Sequence, residues 1–134
     1  MLNYILRCPG ASFSAYLLRE RQRVRGYFLL SWVGRQCRIA DMQLDSAVPA
    51  DWQAGWALAT RTAAADQRTC EIVAAASVPL STKIISEYGY HVRDSQPIFV
   101  SDAKKLLAGA PPLKIDLLDG EGAFLNDPHA PFLT

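Results

Sequence analysis

Several things are scarce in this 134-residue sequence, and each scarcity excludes something. Cysteine occurs three times, as Cys8, Cys37 and Cys70, far apart and with no CxxC pair. That excludes a disulfide framework and a zinc ribbon, and it suits reduced, mostly buried thiols. Histidine occurs twice, at His91 and His129, and no Ser or Cys stands out as a nucleophilic partner for either. No apolar run approaches the roughly 18 residues needed to span a bilayer; the longest, residues 26–33 and 72–78, are core-strand length. The N-terminus has no cationic stretch ahead of a long apolar run, so a cytoplasmic protein is expected. Neither a repeat nor a low-complexity linker is visible. One domain over residues 1–134 is therefore expected, with an irregular tail at 126–134.

The composition is that of a folded domain, 50% hydrophobic and 20% charged, which excludes a disordered chain. The net charge of +1 hides an asymmetry. Residues 1–40 carry seven arginines against Glu20 alone, hence +6, while residues 41–134 carry seven basic and twelve acidic side chains, hence −5. The basic half is dominated by Arg19, Arg21, Arg23 and Arg25. If this segment stays extended, the four guanidiniums share one face. Such a stripe suits a solvated hairpin tip, or association with another protein or a second copy. Nucleic acid is not the expected partner, because no aromatics are interleaved for stacking and no helix-turn-helix or RNP signature occurs.

The first 44 residues read as strands. A short run at residues 2–7 closes on Cys8-Pro9-Gly10, and strands follow at 14–19, 26–33 and 35–44, an antiparallel meander. In the last strand the period of two sets Ala40, Met42 and Leu44 on one face, with Cys37, Ile39, Asp41 and Gln43 on the other. The text then becomes helical. Pro49 suits a first turn, Asp51 suits the positive end of the dipole, and Trp52, Trp56, Ala59 and Ala63 form one stripe reaching to about Asp66. Residues 70–76 read as a strand covered on both faces and parallel to 35–44, which makes a βαβ unit. A second helix spans 80–88, with Leu80, Ile84 and Tyr88 as its stripe and Gly89 as its C-cap. Beyond it are expected a hairpin of residues 90–93 and 97–100, a short helix at 102–108 and a last strand at 113–118. The sum is an α/β fold with a mixed, twisted sheet of about seven strands.

This order of elements resembles the C-terminal two-thirds of the GNAT superfamily of acyl-CoA N-acyltransferases, over residues 14–125. Gly26-Tyr27-Phe28-Leu29-Leu30 leading to Arg38-Ile39-Ala40-Asp41 looks like two successive strands of a GNAT-like branch found within larger bacterial proteins. Glu87-Tyr88-Gly89-Tyr90 looks like the superfamily's helix end, and residues 119–125 resemble that branch's closing segment. The resemblance implies acetyl-CoA or another acyl-CoA as cofactor and an amine as acceptor. The pantetheine arm would pair with main-chain groups of Met42, Gln43 and Leu44. No catalytic residue is assigned and no metal is implied.

The departures from the family are equally specific. The link that holds the CoA pyrophosphate in catalytic members is glycine-rich and basic. Here it is Asp45-Ser46-Ala47-Val48-Pro49-Ala50-Asp51, with no glycine, no basic residue and two carboxylates. The family's usual acid, a tyrosine four residues before the helix-ending glycine, is replaced by Ile85, which transfers no proton. Tyr88 is close by, but its spacing favours core packing. There is no room before Ser14 for the two helices that line the acceptor side. A non-catalytic binding or dimerisation module is thus the alternative, with a second copy or a missing N-terminal half as partner. Asp116, Asp119, Glu121 and Asp127 lack the alternating EF-hand pattern, so a turn explains them better than a metal site.

Overall fold

The computed structural model describes residues 5–7, 9–93, 101–111 and 113–119. Within them the chain forms β1 (Ser12–Glu20), β2 (Arg23–Val33), β3 (Gln36–Leu44), α1 (Pro49–Ala65), β4 (Glu71–Ala74) and α2 (Pro79–Glu87), and then a 3-10 turn at Leu117–Asp119. The sheet has the order β1-β2-β3-β4. Its first two pairings are antiparallel, and β3 pairs with β4 in parallel across α1. The architecture is α/β with a mixed sheet, but among the described residues it has four strands and not seven. Residues 5–7 are helix and turn, residues 90–93 join no ladder, and 113–116 are irregular, while 97–100 and the 126–134 tail lie outside the described residues. The expected helix at 102–108 is a series of turns. The Asp102 carboxylate accepts from the Leu106 and Leu107 amides, and Lys105 takes a positive φ of 54°, which stops helical propagation.

Both hairpins use two-residue loops. Gly34 (φ 59°) and Arg21 (φ 55°) supply the left-handed conformation that such tight reversals require. The reversal at Arg21 breaks the expected arginine stripe: Arg19 lies opposite Val24, and Arg23 and Arg25 fall on the second strand.

The core lies between one face of the sheet and the two helices. Phe28, Leu30, Trp32, Cys37, Ile39 and Met42 pack against Trp56, Ala59 and Ala63 of α1 and Ile84 of α2. Tyr16 stacks on Phe28 directly opposite it, with ring centroids 4.8 Å apart. The α1 stripe is as expected. Its N-terminus has Val48 at the cap position, with no side-chain cap bond and Pro49 in the first turn.

One departure from simple alternation matters for the site. Leu29 pairs with Asp41 but Leu30 pairs with Ile39, so Ala40 is an extra residue, a β-bulge in β3. The bulge resets the faces. Cys37 and Ile39 join Met42 and Leu44 on the helix-covered side, and Ala40 packs with Leu29 on the other, under Leu117 and Leu118. Burial pushes the Cys37 thiol up to about 12, so it is an inert packing group, whereas Cys70 is exposed. All four residues of β4 are half-buried, so this strand is not covered on both faces. No helix among the described residues is long and apolar enough to cross a membrane.

Candidate functional site

The parallel ladder between β3 and β4 is short. Gln36 to Ile39 pair with Glu71 to Ala74, and from Ala40 to Leu44 β3 has no ladder partner on that side among the described residues. Two local causes combine. The bulge at Ala40 bends β3, and β4 ends at Ala74, ahead of the turn into Pro79 of α2. Main-chain groups of residues 40–44 that turn away from β2 are left on an open edge. Met42 and Leu44 present main-chain groups there, whereas Gln43, opposite Tyr27, turns its carbonyl toward Gly26 of β2. The Met42 side chain is fully buried and Leu44 is half-buried, while Gln43 is exposed. Helix α1 sits close above: a Cβ on Gly55 would lie 3.3 Å from Met42 Sδ and 3.1 Å from Leu44 Cδ1.

The link from β3 to α1 carries the two carboxylates singled out above, and both are engaged. Asp45 accepts from Arg23 Nη2 at 2.9 Å. Asp51 accepts from the Ser46 hydroxyl and, at 3.4 Å, from Arg25 Nη2, while Arg25 Nε lies 3.8 Å from Glu20 Oε2. Trp52 Nε1 donates to Ser46 O at 2.9 Å. The basic front and acidic back of the sequence therefore meet inside the molecule. The Arg23–Asp45 pair is exposed and contributes at most about 1 kcal/mol. It does partly neutralise the charge at the start of α1.

On the opposite face, beside the bulge, lies a polar cluster whose membership the sequence did not disclose. Tyr27 donates to Asp41 Oδ2 at 2.7 Å, and Gln43 Nε2 donates to Asp41 Oδ1 at 3.2 Å. Lys114 Nζ is 3.9 Å from Asp41 Oδ1 and forms a hydrogen-bonded ion pair with Asp116. The Asp116 amide donates to Asp119 Oδ2 at 2.8 Å. Asp41 and Asp116 are each 9% exposed, which is rare for carboxylates that lack a structural or chemical task. Burial raises the Asp116 carboxyl to about 6; the Asp41 carboxylate adds to the rise and Lys114 opposes it. Burial, reinforced by the bond to Asp41, raises the Tyr27 phenol to about 12, so it stays a donor. A second polar row runs along the same face, where Arg38 Nε donates to Gln36 Oε1 at 2.6 Å and Gln36 Nε2 donates to Glu71 Oε2 at 2.7 Å. Two signals could have found the cluster: Tyr27 and Asp41 at matching alternation in facing strands, and an acid inside an otherwise apolar strand.

Asp116 gives a direct pH test. Its folded-state pKa is raised, so the folded chain holds the proton more tightly than the unfolded chain does. Its contribution is fully present below the ordinary carboxylate range, near pH 4, and is lost as pH rises through about 6. Asp116→Asn removes that loss. The variant is expected to exceed the parent by about 1–2 kcal/mol at pH 7.5, and the difference is expected to shrink steadily as pH falls toward about 4, as read from urea midpoints. A variant less stable than the parent at pH 7.5 would contradict this.

The remaining residues singled out from sequence are dispersed. Ile85 is half-buried against the core. Tyr88 is not a core residue: it caps the C-terminal end of α2 at 45% exposure, and its hydroxyl donates to Gln53 O at 3.4 Å. The helix ends at Glu87, and the non-helical backbone of Tyr88 takes it off the Leu80–Ile84 stripe. Tyr90 is the more buried tyrosine, and its hydroxyl shares a 2.9 Å hydrogen bond with Thr60 Oγ1. His91 is exposed. Asp116 and Asp119 come together, whereas Glu121, Asp127 and His129 lie outside the described residues. No group of three metal-ligating side chains occurs among the described residues.

Comparison with protein-family models, curated proteins and solved structures gives no match to this chain.

Proposed function

We propose that this chain is a GNAT-like domain that binds acyl-CoA along the open edge of β3 and passes the acyl group to an amine. The observation that carries the reading is the unpaired run of β3 beside the start of α1. It offers the main-chain groups of Met42 and Leu44, which turn away from β2 and have no strand partner among the described residues, to an extended, amide-bearing ligand such as pantetheine. Asp41 precedes Met42 directly, so the Asp41–Asp116 carboxyl pair is adjacent to that edge. A carboxyl poised near pH 6 can accept the proton released when an amine is acylated. In that step the amine nitrogen attacks the thioester carbonyl carbon and the carbon–sulfur bond breaks. The amine's proton passes to the carboxylate and from the carboxyl group to the departing sulfur, so CoA leaves as the thiol and the carboxylate is restored.

A second reading, a non-catalytic binding or dimerisation module, is favoured by two observations. The Asp51 carboxylate and the Ser46 hydroxyl fill the start of α1, where a pyrophosphate would sit. Ile85, packed against the core, stands where the resemblance asks for a proton donor. On this reading a second copy or an N-terminal half on another chain covers the open surfaces, and sedimentation detects a stable dimer.

Calorimetry with acetyl-CoA and longer acyl-CoAs tests the first reading. Saturation at 100 times Kd is expected to stabilise the fold by about 2.7 kcal/mol, visible as a rise in Tm of several degrees. The absence of both heat and a thermal shift at millimolar acyl-CoA would overturn it.

A further inference from the structure

Trp56 is 1% exposed, and its indole Nε1 has no hydrogen-bond partner among the described residues. The other two indoles are satisfied: Trp32 Nε1 donates to Thr69 Oγ1 at 3.1 Å, and Trp52 Nε1 donates to Ser46 O at 2.9 Å. A buried donor left unpaired loses its hydration and gains nothing, so it calls for a specific explanation. A trapped water is a poor one here. Such a water needs two to four polar partners, and Trp56 sits in a cluster of Phe28, Leu30, Met42, Ala59 and Ile84.

The position of Trp56 points to a ligand. Gln53, Trp56 and Thr60 follow one another at i, i+3 and i+7, a single row on α1. The two ends of that row bond to the segment after β4: Gln53 to Glu87 and Tyr88, and Thr60 to Tyr90. The row therefore faces α2, and the indole lies where α1, α2 and the sheet converge. A Cβ on Gly55, its neighbour, would touch Met42 and Leu44, which belong to the stretch of β3 that β4 leaves unpaired.

We propose that Trp56 Nε1 is the donor to a carbonyl oxygen of an acyl-pantetheine ligand, and this rests on the acyl-CoA reading above. The surroundings select the chemistry. An apolar site with a single neutral donor accommodates a thioester or amide carbonyl flanked by methylenes. It disfavours a phosphate or carboxylate, whose charge would be buried without a countercharge. Trp56 is thus a positioning residue that discriminates acylated from charged ligands.

The test uses the full chain with ¹⁵N-labelled tryptophan, titrated with acetyl-CoA, together with calorimetry on Trp56→Phe, which keeps an aromatic ring and removes the N–H. The Trp56 indole resonance is expected to move while those of Trp32 and Trp52 stay, and Trp56→Phe is expected to bind acetyl-CoA about 5- to 10-fold more weakly while losing less Tm than Trp56→Ala. Acetyl-CoA binding with a stationary Trp56 resonance, or with undiminished affinity in the variant, overturns this inference and leaves the acyl-CoA reading standing. If the wild-type chain binds no acetyl-CoA at millimolar concentration, both fall. Should the variant fail to fold, the wild-type resonance decides alone.

Discussion

Gly26→Ala is expected to destabilise the fold by about 2–4 kcal/mol, among the largest effects of any single-methyl change in the chain. A Cβ at Gly26 would lie 2.1 Å from Gln43 O and 3.0 Å from Leu44 Cα, both backbone atoms of the neighbouring strand. Backbone in the middle of a sheet cannot rotate aside as a side-chain tip can, so β3 must move away from β2. Gly26 also adjoins a register break: Leu18 pairs with Gly26 and Arg19 with Val24, which leaves Arg25 as an extra residue in β2. Its displacement would disturb the Asp45 N to Arg25 O bond, 2.7 Å long, that ties the end of β3 to the hairpin. Urea denaturation followed by tryptophan fluorescence measures the effect, and a change below about 0.5 kcal/mol would contradict it.

Trp56→Ala is expected to cost about 3–5 kcal/mol. Trp56 is the largest of the fully buried side chains, and it joins both helices to the sheet face that holds Phe28, Leu30 and Met42. Removing the indole leaves a cavity with little chance of collapse, because its walls are a helix pair and a four-stranded sheet. The contrast with Trp56→Phe separates packing from hydrogen bonding. The alanine variant should lower the urea midpoint sharply, whereas the phenylalanine variant, which keeps one aromatic ring, should lower it by clearly less. Equal loss in the two variants would mean that the indole N–H has a partner in the free protein.

Much of the fold was legible where a regular period met an amphipathic surface. The Trp52, Trp56, Ala59 and Ala63 stripe gave α1 almost to the residue, and the three-strand meander followed from apolar runs separated by short links. What escaped was irregularity. Alternation assigned Cys37 and Ile39 to the wrong face, because nothing in the residue types around Ala40 announces a bulge. The reversal at Arg21-Gln22 has neither glycine nor proline, so the arginines read as one extended stripe. Past α2 the pattern misled more. Residues 102–108 have helical spacing, but the Asp102 side chain captures the amides that a helix would use. For the site, the position of Met42, Gln43 and Leu44 at the end of β3 was readable in advance. The Asp41–Lys114–Asp116 contact could not, since it is made across most of the chain by a segment with no regular structure.

The most direct test of acyl-CoA binding at the open edge of β3 is an amide-resolved titration of the ¹⁵N-labelled chain with acetyl-CoA. The expected result is a saturable shift concentrated at the backbone amides of residues 40–44 and at the turn between β4 and α2. Shifts confined to the arginine-bearing hairpin tip, or no saturable shift at millimolar ligand, would contradict it.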